Sequence, residues 1–297
     1  MRVNPNSSPD LIASLSRLQQ EENTTLSQMS SGRRVAKPSD DPAAAGSLVQ
    51  VLSDSNSLDT YTQNGTTLQS NLQLADSTLG SVDAALNRAA TLGINAANST
   101  LSGSDRSAIA QELQGIKDQV LSLANTASQG SFLFAGTAST AAPFVADDSS
   151  SSGVSYAGNS ETNSVEIGDG YRVQTNVAGN DLFLNSSGNV FQSLQDLITA
   201  VQTNTGIDAA SSAVGQARST LAAQRVFYGN VMNQLTDNNA VLQNESTQLS
   251  TRENTLSAAD LAQAATQLVS LQTSVNAVMT AASRTMGTSL FDYLNNL

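Results

Sequence analysis

Apolar residues recur at helical spacing through both ends of the chain and lose that spacing in the middle. Residues 10–31 place Leu11, Leu15, Leu18, Leu26 and Met29 on one face, with Gln19, Gln20, Glu21 and Gln28 opposite, which predicts an amphipathic helix. Ser8 or Asp10 can cap its start, and Gly32 stands where a C-cap glycine belongs. The next stretch, SGRRVAKPSDDPAAA (31–45), contains two prolines and the basic pair Arg33-Arg34, and breaks the pattern. Ser39-Asp40-Asp41-Pro42 then reads as a new helix start, with a capping carboxylate and proline in the first turn.

From Pro42 to about Thr100 the period is close to a heptad: Leu72, Leu79 and Leu86, with Ala75, Val82 and Ala89 between them. Gly65 and Gly93 extend this row and are expected to weaken it locally. A helix of that length runs on the order of 80 Å. Leu101–Asp105 interrupts it, and Ile109, Leu113, Ile116, Val120, Leu123 and Ala127 predict a second helix folding back antiparallel. In the middle, Gly153–Ala157, Ser164–Ile167, Tyr171–Asn176 and Asp181–Leu184 read as short strands, and Gly168-Asp169-Gly170 as a three-residue hairpin loop. Helix returns over 190–203. After Thr205-Gly206, Val214, Leu221, Tyr228, Leu235, Leu242, Leu249 and Leu256 keep strict heptad register, a helix of about 50 residues that needs a partner along its length. A last amphipathic helix, about 258–284, carries Leu261, Ala265, Leu268, Leu271, Val275, Val278 and Met279, and the chain ends SLFDYLNNL.

Composition removes most kinds of chemistry. The 297 residues include no His and no Cys, so the usual zinc, haem, iron–sulfur, Ser-His-Asp and Cys-His sites have no ligands or bases. Net charge is −12 and the only lysines are Lys37 and Lys117, which argues against a nucleic-acid partner. No apolar run is long enough to insert in a membrane, and MRVNPNSSPD lacks the apolar core of a Sec signal. No phosphate-cradling or nucleophile-elbow motif is present. Neither an enzyme nor a cofactor is therefore expected. Ser, Thr, Asn and Gln together make up 119 residues, against 13% charged, so polarity is carried by uncharged side chains. Asp147-Asp148 before four serines reads as a polar loop and Asp40-Asp41 as a helix cap.

The expected fold class is mainly α: a long antiparallel helical bundle or coiled-coil rod built from N- and C-terminal segments, with a small β-rich inserted domain. The expected division is terminal helices at 1–41 with 258–297, a rod at 42–130 with 205–257, and a β-rich insert with a short helix at 131–204.

Four stretches in this order resemble the flagellin-like axial proteins of the bacterial flagellum: SSGRRVAKPSDDPAAA (30–45), GSFLFAGTASTAAPF (130–144), ADLAQAATQLVSLQTSVNAVMTAASR (259–284) and SLFDYL (289–294). The GSFLFAGT stretch and the SLFDYL ending are most similar to the members that join hook to filament; the flagellin filament subunit is the alternative. The resemblance implies a structural protein exported unfolded through the flagellar type III apparatus, with no cleaved signal, to an extracellular position on the flagellum. It also implies assembly as a ring of copies between hook-associated protein 1 and flagellin, and an export chaperone that holds the C-terminal region beforehand. The polymer contacts would come from Leu11, Leu15, Leu18, Met29, Leu261, Leu268, Leu271, Val275, Val278, Met279, Leu290, Tyr293 and Leu294. Arg33, Arg34, Asp40, Asp41 and Pro42 would form the linker between terminal helix and rod.

Overall fold

The computed structural model describes the backbone of residues 7–294 and the side chains of residues 9–283. Seven helices are described: α1 (Ser7–Ser31), α2 (Pro42–Ala96), α3 (Gly103–Ala124), α4 (Gly179–Phe183), α5 (Val190–Thr203), α6 (Ile207–Ser257) and α7 (Leu261–Leu294). Six short strands lie between α3 and α4: β1 (Ala127–Ser128), β2 (Ser131–Phe132), β3 (Phe144–Ala146), β4 (Val154–Tyr156), β5 (Ser164–Gly168) and β6 (Tyr171–Gln174). They pair as three separate two-stranded antiparallel sheets, β1–β2, β3–β4 and β5–β6. The chain forms two compact units, one of residues 58–244 and one of residues 1–57 with 245–297.

In the 58–244 unit, α2 and α6 run antiparallel. Asp76 pairs with Arg225 through two hydrogen bonds of 2.9 and 3.1 Å, and Asp83 pairs with Arg218 at 2.8 Å. The heptad leucines point inward: Leu72, Leu79 and Leu86 of α2, Leu113 and Val120 of α3, and Val214, Leu221 and Leu235 of α6 are all at most 1% exposed. α3 folds back on α2, with Arg88 bonded to Glu112, and packs against α5. A Ser102/Asp105 capping box starts α3. Lys117 of α3 is buried and donates to Gln195 Oε1 of α5 at 2.6 Å; desolvation pushes its pKa down. Tyr228 stands between Leu221 and Leu235 in the α6 row at 1% exposure, and burial raises its phenol pKa.

The glycines of the α2 row have a different role from the one their low helix propensity predicts. They sit where α2 meets its neighbours most closely. A methyl at Gly93 would collide with Ser211 Oγ and press within 3.0 Å of Leu197, and one at Gly65 would lie 3.3 Å from Asn239 Oδ1. Propensity is overridden by packing.

Other local expectations also change. α3 ends at Ala124, before Ala127, because the Asn125 side chain leaves the helix to bind both main-chain groups of Phe144, at 2.7 and 2.9 Å. Ala127 instead enters β1, and Gln129 and Gly130, both at positive φ, make the tight turn to β2. Asp181–Leu184 is no strand: this stretch falls within and just after the single turn α4. Leu182 and Phe183 are adjacent and both fully buried, which a strand with one wet face would not allow. The hairpin loop is two residues, Asp169-Gly170, since Gly168 pairs with Tyr171, and a register shift follows Glu166.

The aromatic residues are few and concentrated. Phe134, Phe144, Tyr156, Phe183 and Phe191 form one cluster with ring centroids 5.1–6.0 Å apart. The sequence LFAGT supplies its corner. Phe134 and Ala135 are fully buried, and Gly136, at φ +70°, turns the chain against the Asn159 main chain, where no Cβ fits.

Candidate assembly surface

The unit of residues 1–57 and 245–297 is built around a short link after α1. Gly32, at φ +69°, ends α1 with its amide on the Gln28 carbonyl. The chain then bonds across to the end of α6: the Arg34 amide donates to Ser257 at 2.7 Å, the Ala259 amide to Gly32 at 2.9 Å, and Arg33 faces Ala258 as an antiparallel bridge. Val35 is buried beneath this crossing.

The basic pair has partners within the chain. Arg33 reaches Glu253 at 3.3 Å. Arg34 bonds Asp41 at 2.8 Å and the Leu256 carbonyl at 3.0 Å. Asp41 in turn caps α2 by accepting from the Ala44 amide at 3.0 Å. That bond and the Arg34 guanidinium hold its carboxyl below the usual aspartate range. Asp40 accepts from the amides of Ala36 and Lys37 at 3.1 and 2.8 Å, and Pro42 is the first residue of α2. The two aspartates therefore organise backbone, and the arginines tie the link to the end of α6.

Helices α1 and α7 pack side by side, and the crossing at Gly32 and Ala259 makes them antiparallel. Asp260 caps α7 through the amides of Ala262 and Gln263, both at 3.0 Å. Small and aliphatic residues fill the contact: Thr25, Ala264 and Leu271 are buried. A groove of about 560 Å³ beside it is lined by polar side chains, among them Arg17, Gln20, Thr24, Gln28, Gln263 and Gln267.

The contact uses only part of the apolar surface. On α7, at 100° per residue, Ala264, Leu271 and Val278 fall on one side and Leu261, Leu268 and Met279 about 40–100° away. Leu271 is 7% exposed, whereas Leu261 and Met279 are 53% and 56% exposed. Leu268, Val275 and Val278, like Leu11, Leu15, Leu18 and Met29 of α1, are half-buried. Ile12 and Val269, not among the expected contact residues, are more than 60% exposed. Ile12 breaks the spacing of the α1 leucines and Val269 sits off the α7 row, which is why the repeat did not single them out. The side chains of Leu290, Tyr293 and Leu294 lie outside the described residues.

Residues 6–139 match the family model of the bacterial flagellin N-terminal helical region. Over 119 residues the chain is 42% identical to the flagellar hook-associated protein 3 of Escherichia coli strain K12, covering 39% of this chain and 37% of that protein. The chain thus matches well under half of that relative's length. Over 110 residues it is 30% identical to flagellin A of Vibrio cholerae, covering 37% of this chain and 29% of that one. Among solved structures, flagellar hook-associated protein 3 from Legionella pneumophila superposes with a TM-score of 0.64 at 16% identity, covering 70% of this chain and 98% of that one. By sequence over 119 residues and by fold over most of its length, the chain is similar to flagellar hook-associated protein 3.

Proposed function

We propose that this protein is a structural component of the bacterial flagellum that assembles as the junction between hook and flagellin filament. The single observation that carries the reading is the 42% identity to a hook-associated protein 3, against 30% to a flagellin over a stretch of similar length. The flagellin match keeps the filament subunit as the second reading.

The mechanism is association by packing, not by chemical turnover. Leu261, Val269 and Met279 on α7 and Ile12 and Leu26 on α1 are large apolar side chains left open to water in the isolated chain. Covering them removes apolar surface from solvent at about 25 cal/mol per Å². Several chains in a ring would each cover a neighbour's stripe, and the same faces would meet hook-associated protein 1 on one side and flagellin on the other. The terminal helices 1–41 and 258–297 then supply the polymer contacts, residues 42–130 with 205–257 the helical support, and 131–204 the inserted part. Export unfolded through the flagellar type III apparatus, with a chaperone on the C-terminal region, fits a chain without cysteine and rich in uncharged polar residues.

Leu268→Asp or Val275→Asp tests the surface. Both residues are half-buried, so a carboxylate there can turn to water and the 58–244 unit should melt as in the parent. Filament attachment in motile cells should be lost. Filaments that stay attached in either variant would show that this face of α7 makes no contact in the assembly.

A further inference from the structure

We propose that copies of this chain join head to tail, an apolar ridge on one flank of the α1–α7 pair seating in the groove on the opposite flank of the next copy. The proposal rests on the assembly reading above and adds which surface meets which. On α1, at 100° per residue, Ile12, Gln19 and Leu26 stand about 60–100° to one side of the face that meets α7. Asp10, Arg17 and Glu21 stand about 80–120° to the other side. On α7, Leu261 and Met279 stand about 80° to one side of the buried Leu271, and Gln263 about 80° to the other. Because the two helices are antiparallel, Ile12 and Leu26 share a flank with Leu261 and Met279. Arg17 and Glu21 share the opposite flank with Gln263, and together these line the groove.

The two flanks complement each other. The ridge is free of charge: Leu26 and Leu261 are large, apolar and exposed, and residues 261–283 of α7 include no charged side chain. The groove, of about 560 Å³, has a floor of small residues, the buried Thr25 and Ala264 joined by Ala259. The Thr25 hydroxyl donates to the Glu21 carbonyl at 2.9 Å, so the floor needs no polar partner from outside. The rim is polar, with Arg17, Glu21, Asp260 and Gln263. An apolar centre inside a polar rim is the usual anatomy of a protein interface. Ridge and floor also stand at one height. Leu26 adjoins Thr25 in sequence, and the crossing of Gly32 with Ala259 sets Ala264 level with both, since each helix rises about 1.5 Å per residue. A second copy related by rotation about an axis along the helices keeps that height, so its Leu26 arrives at the floor of the groove. A ridge on one flank and a socket on the other make the contact heterologous, the kind that closes into a ring.

The chain contains no cysteine, so engineered thiols can pair only with each other. The double variants Leu26→Cys/Gln263→Cys and Leu261→Cys/Gln28→Cys each carry one thiol on the ridge and one on the groove side. Within one chain the two thiols lie on opposite flanks of the α1–α7 pair and cannot meet the geometry of a disulfide. Flagella are isolated from cells that make only one such variant, oxidised, and blotted for this chain after non-reducing electrophoresis. A ladder of dimers, trimers and longer oligomers from either double variant is the expected result, with each single variant remaining monomeric. Monomer alone from both double variants, in flagella that still contain the chain and keep their filaments, would overturn the contact and leave the junction reading standing. A dimer from Leu26→Cys alone would also overturn it, because ridge would then face ridge across a two-fold axis. Absence of the parent chain from isolated flagella would overturn the assembly reading and this contact together.

Discussion

Phe183→Ala is expected to lower the stability of the 58–244 unit by about 3–5 kcal/mol, read as a displaced denaturant midpoint. Phe183 is fully buried and touches three other rings: Phe134 edge-on at 5.5 Å, Phe144 edge-on at 5.2 Å and Phe191 at 6.0 Å. Its removal leaves a cavity whose walls cannot easily collapse. Phe134 is pinned by the Gly136 corner, and Phe144 by two main-chain bonds to Asn125. Aromatic pairs add about 0.5–1.5 kcal/mol each beyond their area. A loss below about 1 kcal/mol would show that the cluster is loosely packed and that the helices alone stabilise the unit.

The second large effect concerns the α6 heptad. Leu242→Asp should cost about 3–5 kcal/mol, because Leu242 is 4% exposed and a carboxylate there must lose its water or push the helices apart. Leu249→Asp, one heptad later in the same helix, should cost about 1 kcal/mol or less, since Leu249 is half-buried and an aspartate can reach solvent. Thermal melting of the two variants checks both numbers. Equal losses would mean that the heptad stripe is buried alike in both units, contrary to the burial seen here.

The contrast also shows how far the repeat could be read. Strict heptads at 214–256 and 72–86 gave the long helices and their inward faces, because a seven-residue stripe has one geometric solution. The repeat says nothing about depth of burial, which depends on how many helices surround each level. Leu221 and Leu256 look alike in sequence, yet one is fully buried and the other half-exposed. The small β region was legible as a class from its glycines and alternating residues. The aromatic cluster was not, because Phe134, Phe144 and Phe183 are far apart along the chain and only tertiary packing brings them together. Asn125 ended α3 early through a bond to a residue 19 positions away, which no local pattern encodes. Of the contact residues expected from the terminal stripes, Leu271 is buried within its own unit while Leu261 and Met279 stand outward. The 3.6-residue period marks an apolar face but cannot divide it between a partner in the chain and one outside it.

The electrostatics of the link add little energy and much geometry. Arg34 and Asp41 are both partly exposed, so solvent screens their ion pair and it adds little to stability. Asp41 accepts from both the Arg34 guanidinium and the Ala44 amide, so the pair ties the link to the first turn of α2.

The junction role itself is tested most directly by deleting the gene in its host, probing the culture supernatant for flagellin and viewing the cells for hooks. Unattached flagellin in the medium, with hooks still present on the cells, is the predicted result. Cells that shed no flagellin and lack filaments would make the chain the filament subunit instead, and normal flagella on the deletion strain would contradict the account altogether.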